Sequence, residues 1–133
     1  MITILPMEDQ QQKKAVLSRY PMLSGKGDVM VMAEKSDILG TVVLSMDGTV
    51  LRMYDMTVSG QSLKTLDSMG KMIADSLMRA AASYGETNGA EQVISHVAEL
   101  AWFFAQKGFL EEAEGMVSPM NRIVHRCKPG AHC

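Results

Sequence analysis

Phe103-Phe104-Ala105-Gln106-Lys107-Gly108-Phe109 is the stretch on which the reading of this chain turns. Its aromatic pair lies inside a run, Glu99 to Gln106, with helical character, and Gly108 stands where a left-handed residue ends a helix. Phe109 then restarts an apolar segment. Just upstream, Gln92 to Val97 reads as a strand, and downstream Asn121 to Cys127 reads as a final strand.

Working toward the N-terminus, Leu63, Leu66, Met69 or Gly70, Ile73, Leu77, Ala80 or Ala81 and Tyr84 recur at steps of three and four and share one helical face. Ser62 is a candidate cap for that helix and Asp67 a candidate cap for a shorter one. The phase of Leu63 and Leu66 favours the longer helix. Before it come three strands: Val29 to Ala33, Ile38 to Met46 and Thr49 to Val58. Lys35-Ser36-Asp37 joins the first two, and Asp47-Gly48, both tolerant of positive φ, makes a tight hairpin between the second and third. Ile2 to Leu5, closed by Pro6, is a short first strand, and a polar helix from about Asp9 to Arg19 follows with Ala15, Val16 and Tyr20 as anchors.

The expected order is strand, helix, three strands, helix, strand, helix, strand. At 133 residues this makes one domain, 1–133, able to bury a core without disulfides or metal. Thirteen basic residues against fifteen acidic ones argue against a nucleic-acid or acidic-membrane partner. No stretch approaches the roughly 18 apolar residues of a membrane span. The opening Met-Ile-Thr-Ile-Leu-Pro lacks a basic n-region, and Cys127 and Cys133 do not make a disulfide framework, so a soluble cytoplasmic protein is expected. The 13 methionines are spread over strands and helices, which favours core packing over a dedicated cofactor box.

The aromatic pair followed by Gly-Phe resembles the C-terminal signature of the GNAT acyltransferases, which have Phe-Tyr where this chain has Phe103-Phe104. The element order also resembles that family. The resemblance implies an α/β (α+β) domain with a mixed, mostly antiparallel sheet flanked by helices. Acetyl-CoA is its implied cofactor, held by backbone N–H groups at a helix N-terminus. The family's phosphate motif, Arg or Gln, two residues, Gly, one residue, Gly or Ala, falls on Met69-Gly70-Lys71-Met72-Ile73-Ala74, because Ala74 stands fifteen residues before Gly89. Met69 replaces the Arg or Gln and Met72 the central glycine.

Cofactor contacts implied by the resemblance are backbone around Met56, Thr57 and Val58 for the pantetheine arm, and Gly70, Lys71 and Ala74 for the phosphates. Since Val58 to Met69 is longer than the family's spacing, either the helix begins near Ser62 and buries the old phosphate site, or a longer loop supplies donors from Gly60, Gln61, Ser62 and Lys64. Gly40 matches a glycine frequent in the family's third strand.

Asp55, three residues before Val58, is the candidate base for taking a proton from an amine, with a solvated or Arg52-paired strand aspartate as its plain alternative. His96 is the candidate second acid or base, or a partly exposed structural histidine. Tyr54 points to the face opposite Asp55 unless a bulge intervenes. Phe104 cannot return a proton to a thiolate, and it is expected to pack with Trp102 and Phe103. Glu111, Glu112 and Glu114 read as a solvated turn able to attract a cationic acceptor.

No metal site is expected. The tail from His125 to Cys133 has two His and two Cys without a familiar zinc spacing, and it reads as a frayed terminus. The implied activity is acyl-CoA-dependent N-acetylation of an unknown amine, with small-molecule partners and a homodimer left open. The alternative is a GNAT-fold module without catalysis that binds an apolar ligand or a partner helix.

Overall fold

A computed structural model describes residues 1–124. Among them the strands form one seven-stranded sheet in the order β1-β2-β3-β4-β5-β7-β6. The strands are β1 Ile2–Pro6, β2 Asp28–Glu34, β3 Asp37–Asp47, β4 Val50–Val58, β5 Gln92–Ser95, β6 Leu110–Glu112 and β7 Gly115–Pro119, and the helices are α1 Gln10–Leu17, α2 Ser68–Thr87 and α3 Ala101–Gln106. Only the β4–β5 pair is parallel, which agrees with the mixed, mostly antiparallel sheet expected.

The crossover between those parallel strands is α2, as such a connection requires. Its apolar stripe of Ile73, Ala74, Leu77, Met78, Ala81 and Ala82 is buried against β2, β3 and β4. Gly40 lets the helix approach: a Cβ there would meet the Thr57 carbonyl and lie 3.0 Å from both Ile73 and Leu77. Seven methionines (30, 32, 53, 56, 78, 116 and 120) are buried, so packing is their main use. A second, smaller core of Leu17, Leu23, Val29 and Val43 lies under α1.

The aromatic run behaves as read. Gly108 adopts φ +91° and the Phe109 N–H reaches back to the Phe104 carbonyl at 3.0 Å, closing α3. Phe103 and Phe104 meet edge to face at 5.5 Å, and Phe104 also contacts Phe109 at 4.9 Å. Asp75 holds the end of α3 to α2. Burial works to raise its pKa, but hydrogen bonds from Arg79 and Lys107 outweigh that and keep the carboxyl below its ordinary range.

Several boundaries differ from the sequence reading. The final strand is Gly115–Pro119, paired with β6 in a hairpin, whereas Asn121 and Arg122 lie in a 3-10 turn. Ile123 and Val124 are half-buried and pack on the core edge without extending a strand. Residues 125–127 of that predicted strand, and the His/Cys tail, lie outside the described residues. Glu111, Glu112 and Glu114 are exposed as expected, but Glu111 and Glu112 stand on β6.

β5 stops at Ser95, two residues early, and a 3-10 turn, Ala98–Leu100, precedes α3. Most consequential, α2 begins at Ser68 with Asp67 as its cap, not at Ser62. Leu66 is buried and Leu63 half-buried, but they reach the core from a loop, where the same spacing serves tertiary packing.

Candidate functional site

Where β4 leaves β5, the sheet opens. The two strands pair only from Val50 with Gln92 to Met53 with Ser95, and a last bond joins the His96 N–H to the Met53 carbonyl at 2.8 Å. β4 continues to Val58 with β3 alone as its partner. A bulge sits at the branch: Val43 opposes Asp55 and Leu44 opposes Met53, which leaves Tyr54 as the extra residue. Met53 and Met56 therefore both enter the core under α2, and Tyr54 joins Asp55 on the α1 face. The opposite-face expectation for Tyr54 gives way to the bulge.

Asp55 is fully engaged by its own chain. The Tyr20 hydroxyl donates to Oδ2 at 2.6 Å, and the Met56 N–H donates to Oδ1 at 2.9 Å. In the antiparallel alternation that N–H faces the open edge of β4. Arg52, the partner in the alternative of a paired strand aspartate, instead binds Asp47 at 3.0 Å and Glu114 at 3.5 Å.

Tyr20 is pushed up to about 12, first by burial and then by the hydrogen bond and charge of Asp55, against the opposing charge of Arg19. Its folded pKa lies above the unfolded value of 10.0, so the contact contributes fully below pH 10 and is lost as pH rises through about 12. Burial also raises Tyr54 and Tyr84, so a tyrosinate absorbance titration is expected to run late for all three tyrosines, with one late component missing in Tyr20→Phe and shifted to lower pH in Asp55→Asn. A profile unchanged by either variant would contradict this contact.

His96 has separate partners. Its ring stacks on Tyr54, centroids 5.1 Å apart at 17°, and Arg52 donates from Nη1 to Nε2 at 3.1 Å, which leaves the ring proton on Nδ1. It lines a cavity of about 390 Å³ with Ser95, Val97 and the β6–β7 hairpin, including Glu111 and Glu114. The two candidate acid–base groups thus share one side of the sheet without sharing a hydrogen bond. A larger cavity, about 500 Å³, lies between α1 and the turn that follows it and is lined by Lys13, Leu17, Tyr20 and Pro21.

The other candidate contacts surround the start of α2. Met56 and Val58 are buried, whereas Thr57 is exposed and its Oγ1 lies 2.7 Å from that of Thr41. Gly60 turns with φ +74°, Ser62 Oγ accepts the Lys64 N–H at 3.3 Å, and both Ser62 and Lys64 face solvent. Gly70 and Ala74 are buried within the helix, and Lys71 is exposed with Nζ 5.9 Å from the Trp102 ring centre. Trp102 Nε1 donates to the Leu63 carbonyl at 3.0 Å, which ties the β4–α2 loop to α3 across the opening.

Asp67 caps α2 by accepting the Gly70 N–H at 2.8 Å. Gln61 clasps the cap: its Nε2 donates to Asp67 Oδ1 at 2.9 Å, and its Oε1 accepts the Asp67 N–H at 3.0 Å. Sequence reading noted Asp67 as a cap but had no signal for Gln61 as its partner. Tyr20 likewise reads in the sequence as an apolar anchor, since a contact spanning 35 positions leaves no local pattern.

No protein-family model matches the chain, and neither does any curated protein. Solved structures do. A Desulfovibrio desulfuricans protein described as a candidate acetyltransferase of the GNAT family superposes with TM-score 0.63 at 10% identity, covering 90% of this chain and 99% of its own. A Bacillus subtilis acetyltransferase in complex with CoA gives 0.62 at 13% identity over 85% of this chain and 79% of its own. The ribosomal-protein-S18-alanine N-acetyltransferase of Escherichia coli gives 0.61 at 12% identity over 90% and 94%. At these identities the likeness is one of architecture, and with the branch of β4 from β5 it establishes that the polypeptide has the GNAT acyltransferase fold.

Proposed function

We propose that this chain is an acyltransferase-fold protein whose donor site is closed, acting as a ligand-binding or protein-interaction module and not as an acetyl-CoA transferase of the usual kind. The carrying observation is that Asp55 already takes the Met56 N–H, a donor on the open edge of β4. A thioester arm adding to that edge would have to displace a carboxylate that is itself held by Tyr20.

Coenzyme A is the group the fold implies, and the residues present do not fit its diphosphate. Small residues and free N–H groups are needed where phosphates approach backbone. Met69 to Ala74 instead lie within α2, the N–H groups from Gly70 onward committed to its hydrogen bonds and cap, with Met69 and Met72 standing out from its surface. Phe104 supports the same reading, being wholly buried with no group to protonate a thiolate.

The test is a thermal shift with CoA and acetyl-CoA at millimolar concentration, beside thiol release across a panel of amines. No shift and no amine-dependent release are expected. A ligand present at 100-fold its dissociation constant would add about 2.7 kcal/mol, so binding would not escape detection.

One observation favours a second reading, an N-acyltransferase acting on an unknown amine. The bulge sets Asp55 beside the opening in the sheet, where a proton acceptor for an ammonium would be needed. In that reading Asp55 takes the proton, and His96, beside the exposed Glu111 and Glu114, faces the cationic acceptor. Amine-dependent thiol release would establish it over the module.

A further inference from the structure

The start of α2 is occupied by the chain itself. A helix of 20 residues presents unpaired N–H groups and positive potential at its first turn, which draws anions. Here the anion is internal. Asp67 takes the Gly70 N–H, Gln61 bonds Asp67 through both its amide atoms, and the Gln61 side chain lies over Gly70 so closely that a Cβ there would overlap its Oε1.

We infer that Asp67 and Gln61 form a latch that keeps the N-terminus of α2 closed to an external anion such as a nucleotide diphosphate. The glycine in the first turn therefore serves an internal amide where an open site would use it for a phosphate. Gly60, with φ +74°, turns the chain immediately before Gln61, and the Trp102–Leu63 hydrogen bond holds the following segment against α3. Neither neighbouring lysine forms an ion pair with the carboxylate: Lys71 lies over Trp102, and Lys64 faces solvent. The Asp67 carboxyl is held below its ordinary range by the Gly70 N–H first and then by Gln61, so the latch stays charged near neutral pH.

The inference deepens the closed-donor reading and rests on it only for the choice of ligand, because its readout is binding at identified amides and not turnover. The full chain is titrated with adenosine 3′,5′-bisphosphate and with pyrophosphate while the backbone amide signals of residues 68–71 are followed by NMR. Wild type is expected to show no saturable shift. Gln61→Ala with Asp67→Ser, which keeps a capping hydroxyl and removes both the charge and the amide, is expected to bind at least tenfold more tightly than wild type. Asp67→Asn provides a nearly isosteric variant should the double change fail to fold, and it is expected to move in the same direction. Saturable binding by wild type at these amides would overturn the latch, as would folded variants that bind no better. Amine acetylation by wild type would sink the module reading and leave the latch untouched.

Discussion

Phe104→Ala is expected to lower stability by about 3–5 kcal/mol, the cost of emptying a fully buried aromatic site. Phe104 is 0% exposed and touches both Phe103 and Phe109, so its ring joins α3 to the segment that leads into β6. Thermal melts should fall by roughly 10–20 °C. Phe104→Tyr separates packing from chemistry. The variant restores the hydroxyl whose absence marks this chain against the family it resembles, but in this structure that hydroxyl enters an apolar cluster. A loss of about 1–3 kcal/mol is expected, together with no gain in thiol release. A tyrosine accepted at no cost would mean that position 104 reaches the opening, contrary to its burial.

The second large effect belongs to Asp55. Asp55→Ala removes the acceptor for the Tyr20 hydroxyl and for the Met56 N–H, and hydrogen bonds to a charged group are worth about 1.5–3 kcal/mol each. Both hydrogen bonds are part-buried, so water recovers some of that, and a net loss of about 2 kcal/mol is expected from chemical denaturation with an unchanged m-value. Tyr20→Phe should reproduce part of it. The same variants decide between the two functional readings. As a structural staple, Asp55 affects stability alone, and wild type and variant are equally silent in acetyl transfer. As a general base, its replacement by asparagine would reduce kcat/KM by 10²–10⁴-fold while Tyr20→Phe, which frees the carboxylate, would not. That second pattern would displace the module reading.

Much of the candidate site follows from one residue inserted in β4. Ordinary alternation would separate Tyr54 and Asp55, and the bulge puts both on the α1 face, where Tyr54 carries the His96 ring and Asp55 takes the Tyr20 proton donor. The branch from β5 begins at the same place, since Met53 is the last β4 residue paired with it. A local backbone irregularity thus sets both the opening in the sheet and the side chains beside it.

The sequence by itself determined the architecture. Strand patterns at Val29–Ala33, Ile38–Met46 and Thr49–Val58, a tight hairpin at Gly48, the apolar stripe from Ile73 to Tyr84 and the glycine stop at Gly108 are local signals, each set by backbone sterics and side-chain period, and the structure has all of them. The hairpin turn is Gly48-Thr49, one residue on from Asp47-Gly48, with Asp47 ending β3 and pairing with Val50. Only the tertiary structure decided where α2 begins, which strand closes the sheet, that Tyr54 shares a face with Asp55, and that Gln61 clasps Asp67. Leu63 and Leu66 show why: burial rewards an apolar side chain equally on a helix and on a loop strapped to the same core, so spacing cannot tell the two apart. The carboxylate partners are likewise settled by which surfaces meet. A hydrogen bond between residues 20 and 55, or between an indole at 102 and a carbonyl at 63, depends on distance in space, and chain order carries no record of it.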